Sequence, residues 1–519
     1  MWQRSRLTRG ALLAIGVATA ASSVLTGCSS PATQAPKPGA SGGTGGALVV
    51  GVTSDPDTLF PWKATQFQAV NVLQNIYGTL TEFDKDLNTV PGLAKSWETS
   101  KDGRTLNFTL RDGVTFSDGS AFDSKDVKYS LDKIKDEATA AVAAASLASV
   151  TSVDAPDPQT VVLHLSAPDA ALPSNLAVVN MAMLSSDDTE ASLNTTPDGT
   201  GPFVLKNRVA SQSLTLVKND KYWGDKPKLG SIEFRVIPDE SSIVSAMQSG
   251  NVQLAVFDDP LVAKTAAAAQ LNVAKTPQLS YHVLQLNGRR GDLTDLNVRL
   301  AVQCAIDRKQ VLDTAALGEG TVTGPITAPA FKSNPDQRPC PARDLAKAAE
   351  YLGKAGKSAG VKIKTIVSQG EYSTSVNEAQ SLKAQLAEAK INLDLEVLES
   401  GAYVDRWVAG DFDAAVALNG GRPDPDGMYN RYFTSTGNLN KVTGYSSPEL
   451  DKLFAAGKAS TDQHERKAIY DKVSVELENN APWIWLFTSY AYTATTSQVQ
   501  GFIPMANASL QYLRTTAVN

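Results

Sequence analysis

Cysteine and histidine are scarce in this chain, with three of each in 519 residues. So few cysteines exclude a scaffold built on disulfides, and so few histidines leave little for a histidine-based metal centre. Excess charge of one sign is also missing. Lys+Arg number 48 against Asp+Glu 54, a formal net charge of −6, so there is no basic surplus for nucleic acid and no acidic tail. Long hydrophobic runs are absent apart from one at residues 11–21. Hydrophobic residues at 42% and charged residues at 20% fit an ordinary soluble globular protein, not a disordered, collagen-like or polytopic membrane one. At ~150 residues per domain, the length predicts about three domains.

The run at 11–21 follows Arg4, Arg6 and Arg9 with no acid among them. At ~1.5 Å rise per residue it spans only about half of a ~30 Å hydrocarbon core, so it reads as the apolar region of an export signal. Leu25-Thr26-Gly27-Cys28 then resembles the bacterial lipobox, in which the cysteine is acylated and becomes the first mature residue. That resemblance implies a lipoprotein signal peptide over 1–27. It also implies export by the general route and a lipid anchor (palmitate among its chains) on Cys28, at the outer face of the cytoplasmic membrane. Two or more acyl chains, at ~0.8 kcal/mol per buried methylene, hold a protein durably on a membrane. Residues 28–46 are rich in Pro, Gly, Ser and Thr and read as a flexible tether. Removing 1–27 takes three arginines and no acid, which leaves the mature chain at −9. Gly39-Ala40-Ser41-Gly42-Gly43 has hydrolase-like spacing but lacks the strand–turn–helix context, and is a coincidence of composition.

With Cys28 acylated, Cys304 and Cys340 remain. In an oxidising compartment they are expected to bridge. Two separate buried thiols are the alternative, because Cys304 lies in the apolar run 300–306.

The hydrophobic pattern is mixed α/β throughout. Strands are expected near 48–52, 105–110, 150–153, 160–165, 214–217, 232–237, 281–286, 362–367, 393–398 and 412–418, with a last one from Trp483. Residues 105–110 and 114–116 read as a hairpin. Helices are expected over 70–80, 124–134, 138–148, 240–250, 297–313, 342–354, 376–389, 402–409, 449–458 and 464–479. The β-α-β-α order of 360–418 suggests a lobe containing parallel strands.

Several blocks carry a specific resemblance. They are Pro91-Gly92-Leu93-Ala94-Lys95-Ser96-Trp97 and the segment 106–119 with Asp126-Val127; Gly199-Thr200-Gly201-Pro202-Phe203; Asn219-Asp220-Lys221-Tyr222-Trp223-Gly224; 243–252; 297–308; Gly410-Asp411-Phe412-Asp413 before Asp424-Pro425; and 466–470 before Ala481-Pro482-Trp483-Ile484. In this order the chain resembles the bacterial extracytoplasmic solute-binding proteins of the dipeptide, oligopeptide and nickel class. The resemblance implies a two-lobed α/β clamshell of the periplasmic-binding-protein type (type II, peptide-binding class) with an extra inserted domain. Residues 47–80, 196–280 and 489–519 would form discontinuous lobe I, 81–195 the inserted domain and 281–488 lobe II, with crossovers near 280–284 and 486–491 as hinge. It implies a monomer that captures a small solute, peptides foremost, and delivers it to an ABC permease, with permease and ATPase on separate chains and no nucleic acid involved.

Peptide-binding relatives place an acid a few positions before the Asp-Pro to meet a peptide's ammonium, a buried charge that needs its opposite. Here the segment reads Leu418-Asn419-Gly420-Gly421-Arg422-Pro423-Asp424-Pro425, and the matching position is Gly421 or Arg422. Asp424 or Asp426 could substitute. Arg422 offers a planar fork for a carboxylate, phosphate or sugar hydroxyl, and its alternative is a solvated loop arginine. Asn419, Gly420 and Gly421 allow close approach of a ligand to the backbone. Phe60, Trp62 and Gln66 stand where relatives line the cleft, and Trp407 is a candidate aromatic wall. Core packing is the alternative for each aromatic.

Chemistry beyond binding finds no support. Gly356-Lys357-Ser358 lacks the leading glycine of a phosphate loop, Tyr351 standing there, so ATP hydrolysis belongs to another chain. His164, His282 and His464 are isolated and read as surface or packing residues. Asp424-Pro425-Asp426-Gly427 lacks the glycine spacing and closing Glu of a calcium loop. The expectation is a binding protein with no catalytic residue, metal or cofactor. A receptor for an oligosaccharide, an opine-like or an anionic compound is the alternative, followed by a surface lipoprotein without transport or a hydrolase.

Overall fold

The computed structural model describes residues 45–369 and 372–519. The expected signal peptide, Cys28 and nearly all of the tether lie outside the described residues. Among the described residues, no helix is long and apolar enough to cross a membrane.

A twelve-stranded mixed sheet runs through the body and falls into two halves. In the first half, Ala47–Val52 lies parallel between Ser231–Val236 and Leu254–Phe257, and Ser213–Lys218 and Phe203–Val209 continue it antiparallel. The second half holds Val361–Gln369 parallel to both Ile391–Glu399 and Ala414–Asn419, with Tyr281–Leu286 antiparallel beside the latter. One strand, Trp483–Thr495, joins them. Its start pairs with Tyr281–Leu286, and its end pairs with Leu254–Phe257 and Asn272–Pro277. It is buried along its length except at Ser489, Tyr490 and its last residue, so the half-exposed pair marks the passage between halves.

Both halves are layered by helices, as α/β cores require. In the second half, Leu296–Cys304, Leu345–Lys354 and Ser375–Glu388 pack on Leu284 and Leu286. Ser400–Ala409, Pro425–Phe433 and Gln463–Asn480 pack on Tyr281 and Val283 from the other face. Trp483 and Trp485 are fully buried in that second cluster. In the first half, Glu240–Gln248 and Pro260–Ala268 cover one face through Ile243, Met247 and Ala263.

Between residues 81 and 195 the chain builds a separate four-stranded antiparallel sheet in the order Ala94–Thr99, Thr105–Leu110, Thr160–Leu165, Val150–Asp157. Leu106, Phe108 and Leu110 alternate inward. Helix Ser124–Lys135 covers them, started by a capping box of Asp123 and Asp126.

Four expectations are corrected. Residues 105–110 pair with Ala94–Thr99 and Thr160–Leu165, not with 114–116, where Thr115 instead bridges Ala121. The stretch 138–148 makes only the short 3-10 turns Glu137–Thr139 and Ala144–Leu147, because its alanines offer little apolar bulk and Ala140 turns left-handed at φ 51°. The helix expected over 297–313 breaks into Leu296–Cys304 and Arg308–Ala315. Asp307 accepts the Gln310 amide and starts a new helix there. The helix expected over 70–80 is Phe67–Leu73, and the rest of that stretch is turn.

Cys304 and Cys340 form a disulfide with a Cα separation of 5.0 Å, both residues buried. It closes a loop of sequence separation 36, which in the chain-entropy description stabilises by about 3–4 kcal/mol. The Cys304→Ala, Cys340→Ala double variant is therefore expected to melt about 3–4 °C lower than the parent. Differential scanning calorimetry under non-reducing conditions checks this, and equal melting temperatures would refute it.

Candidate ligand-binding cleft

Ligand crevices in α/β sheets open at the carboxyl ends of parallel strands. In the second half one such end is that of Ala414–Asn419, which runs into Gly420, Gly421, Arg422 and Pro423 before Asp424 caps the next helix. Gly421 is required sterically. A Cβ there would lie 2.1 Å from the Leu279 carbonyl oxygen, so the turn is pressed against the neighbouring crossover. Gly420 faces open space.

Three cavities border this strand end. The first, of about 510 Å³, is lined by Asp239, Glu240, Asp258 and Asp259 from the first half and by Tyr372 and Leu418 from the second. Asp239 and Asp259 cap helices through the Ser242 and Leu261 amides, each at 2.7 Å, and Asp258 accepts from Gln278 Nε2 at 3.0 Å. Among the described residues none of the four carboxylates has a cationic partner. Glu240 is pushed up to about 7, by burial first and by the Asp258 charge second. His282 and Ser489 also line this cavity. The His282 ring is 2% exposed, stacks on Phe487 at 4.2 Å, and is held by Glu378 Oε1 at 2.8 Å and by the Ser489 hydroxyl.

The second cavity, of about 260 Å³, shares Leu418 with the first and continues along Asn419 and Gly420 to Tyr403, Trp407 and Tyr432. The Trp407 indole donates to Gln285 Oε1 at 2.6 Å, and Gln285 in turn donates to Asn419 Oδ1 at 3.1 Å, which fixes the aromatic wall.

The third, of about 180 Å³, sets Arg422 opposite Gln74, Tyr77, Asn180, Gln511 and Arg514. Arg514 is already paired with Glu82 at 2.7 Å. Arg422 has no hydrogen bond or ion pair among the described residues, and its charged neighbour is Arg431. The Arg422 side chain reaches solvent within the cleft but is walled by protein. That confinement, then the Arg431 charge, pulls its pKa below the ordinary value. Arg431 lies over the Tyr432 ring at 4.7 Å, and its Nε is buried without a partner.

The expected site residues divide accordingly. Trp407, Asn419 and Gly420 come together in the aromatic cavity, and Arg422 stands in the basic one. Gly421 shapes the turn. Phe60 and Trp62 are corrected to core residues: they are 4% and 2% exposed and pack edge to face at 5.3 Å. The Trp62 indole is spent on the Ala182 carbonyl at 2.9 Å. Gln66 sits exposed before helix Phe67–Leu73 and lines none of the three cavities. Asp424 is 4% exposed and caps its helix, and both its oxygens are held by Arg466, at 2.8 and 3.1 Å. It therefore has no oxygen to spare for an ammonium. The acidic wall was missed by the sequence reading: Asp239 and Asp259 each start a helix and stand twenty positions apart.

A bridge joins the 81–195 region to the second half. The Ala170 amide donates to the Lys458 carbonyl at 2.8 Å, and Lys458 Nζ lies 3.6 Å from both Asp169 and Asp426.

Comparison with known proteins places these features in a family. The family model "bacterial extracellular solute-binding proteins, family 5 Middle" matches residues 88–440. The chain is 29% identical to the probable di/tripeptide-binding protein 5 of Pseudomonas aeruginosa, over 84% of this chain and 88% of that one. Its fold is similar to that of the substrate-binding protein CtaP of Listeria monocytogenes, with a TM-score of 0.82 at 23% identity, over 92% of this chain and all of that one. DppA of Helicobacter pylori, solved with the peptide STSA, is similar with a TM-score of 0.76 at 26% identity, over 92% of this chain and 98% of that one.

Glu240 sets a pH dependence. Its carboxyl keeps a proton to about 7 in the folded protein against 4.5 ordinarily, so the folded state binds more protons between those values. Stability must then fall as pH rises through that window. Glu240→Gln is expected to be more stable than the parent by about 1–2 kcal/mol at pH 8, solvent in the cavity screening part of the shift. The difference should vanish at pH 4. Urea unfolding at the two pH values checks this, and no gain at pH 8 would refute it.

Proposed function

The chain belongs to family 5 of the bacterial extracellular solute-binding proteins, and on that premise we propose that it is the receptor of an ABC importer. It captures a peptide or peptide-like solute outside the cytoplasm and delivers it to a permease on a separate chain, with ATP hydrolysis on another. It is a binding protein, not an enzyme. The observation that carries this reading is the cleft at the end of Ala414–Asn419, walled by both sheet halves and joined beneath by one strand. In this reading 47–80, 196–280 and 489–519 form one lobe, 281–488 the other, and 81–195 an accessory domain. A ligand touching both lobes at once favours the closed form over the open one, which gives a permease a shape to recognise. The peptide-binding names of the relatives support peptides as the ligand class. The unpaired Arg422 favours a second reading, a non-peptide anionic solute. Cys28 carries the lipid anchor, and the protein acts as a monomer.

A thermal-shift panel of di- to pentapeptides, oligosaccharides and anionic metabolites on the purified protein tests the reading. A true ligand at one hundred times its Kd stabilises by about 2.7 kcal/mol, a shift of about 2–3 °C. A shift with peptides supports the first reading, and one with anionic metabolites alone supports the second. No shift with any member would sink both. For the anchor, Cys28→Ser is expected to move the protein from the membrane fraction to the soluble one. Retention in membranes would refute lipidation there.

A further inference from the structure

The 81–195 region and the second half meet along a seam that is only partly packed. Phe83 and Leu87 from the one are buried in the same cluster as Phe331 and Tyr470 from the other. Beside them lies a further cavity, of about 270 Å³, with Leu87, Trp97 and Asp169 on one side and Phe331, Asp424 and Arg466 on the other. A seam holding such a cavity forfeits part of the dispersion that close packing supplies, so its polar contacts weigh more. Among the described residues, Lys458 makes the one ion pair that crosses it. Lys458 Nζ stands 3.6 Å from Asp169 across the seam and 3.6 Å from Asp426 on its own side. Both carboxylates are buried. Asp169 Oδ2 accepts the Ser149 hydroxyl at 2.6 Å, and its Oδ1 is buried without a partner. On the other side, Asn430 Nδ2 donates to Asp426 Oδ1 at 2.8 Å. Asn175 of the 81–195 region reaches over Gly427, where a Cβ would lie 3.4 Å from its Oδ1. Each side thus helps to cover the other's carboxylate, and the two share one ammonium.

We infer that Lys458, Asp169 and Asp426 form a proton-linked latch that holds the 81–195 region against the second half when the cleft is shut. This deepens the receptor reading and rests on it, since a two-lobed receptor has to part this seam to admit its ligand. The charges that face Asp426 are Lys458, Asp169 across the seam and Asp424 on its own turn, with Arg466 and Tyr470 beyond Asp424. Arg466 neutralises Asp424 at 2.8 Å. That leaves two carboxylates against one ammonium, and one negative charge too many for a buried site. In the shut form Asp426 is pushed up to about 6 from 3.8, by burial first, with Asp424 and Asp169 adding to it and Lys458 opposing. Parting the seam uncovers Asp426 and takes Asp169 away, and its pKa returns toward the ordinary value. The shut form therefore binds more protons between those values, and closing gains as pH falls from 7 to 5. Once Asp426 is protonated, Lys458 and Asp169 remain as a matched pair.

Double electron–electron resonance on the ligand-free protein tests the latch. Spin labels are placed on Glu98→Cys in the 81–195 region and Lys452→Cys in the second half, both exposed positions. Cys304 and Cys340 are bridged and take no label, and Cys28→Ser removes the remaining thiol. Between pH 7 and pH 5 the ratio of shut to open distances is expected to rise about tenfold more in the parent than in Asp426→Asn, the change that a site at about 6 against 3.8 allows. Glu240 titrates in both proteins and cancels in the comparison. At pH 7 Lys458→Met should lower the ratio about tenfold or more, because it leaves two buried carboxylates without their cation. Lys458→Arg, which keeps the charge, should retain it. A parent whose distances do not change from pH 7 to pH 5 overturns the latch without recourse to any latch variant. So does an equal pH dependence in the parent and Asp426→Asn, or an equal ratio in the parent and Lys458→Met. Each of these leaves the receptor reading standing, because the melting panel with added ligands decides that separately.

Discussion

The backbone of one strand has to be satisfied in both halves of the sheet. Trp483–Thr495 bonds to Tyr281–Leu286 at its start and to Leu254–Phe257 and Asn272–Pro277 at its end. Buried amides and carbonyls rarely go unpaired, so neither half can leave this strand without exposing a ladder. The bonding passes from one half to the other at Ser489 and Tyr490, where burial is partial. The second half clamps its share of the strand further. Arg308 Nε donates to the Trp485 carbonyl at 2.9 Å, and Arg338 and Glu478 form a buried ion pair at 3.0 Å close by. Burial drives Arg308 down to about 9 and also lifts Glu478, so these charges are held against their own preference for water.

That joint organises the cleft. His282 sits on one partner strand and Ser489 on the crossing strand, and their contact knits the wall of the acidic cavity to the strand that joins the halves. The Leu279 amide donates to the Ala506 carbonyl, and its own carbonyl oxygen meets Gly421, so the turn is pressed against the crossover. The Lys458 bridge to Asp169 adds a contact that exists only while the 81–195 region and the second half are together. Asp169 and Asp426 are buried and only the lysine is partly exposed, so losing Lys458 would leave two buried carboxylates without a cation.

Much of the fold was legible because it is local. Thr105–Leu110 alternates, Asp123 caps, and the β-α-β-α run ends in a readable glycine turn. The misses have physical causes. The helix break at 305–307 depends on one aspartate preferring a cap to a helix interior, and the run 138–148 has propensity without a face to bury. Arg422 could be read as a candidate because it stands just before the recognisable Asp424-Pro425 pair. The burial of Phe60 and Trp62 could not be read, since Trp62, against which Phe60 packs, is enclosed by the distant Tyr129 and Ala182. The acidic wall was the least legible feature. Its residues sit on two helix starts about twenty positions apart, each already explained by capping, and only the tertiary fold adds up their charges.

The two glycines of the turn differ in what they permit. Gly421 has the Leu279 carbonyl where a side chain would begin, while Gly420 meets nothing within 4 Å and has no left-handed φ. A mutation at 421 must disturb the joint, whereas one at 420 adds atoms only to the space a ligand would occupy. Ligand preference can therefore drift in evolution, or be redesigned, through 420 and 422 while the position between them stays fixed. The packed and the open face of this turn share a backbone, and they can still change independently.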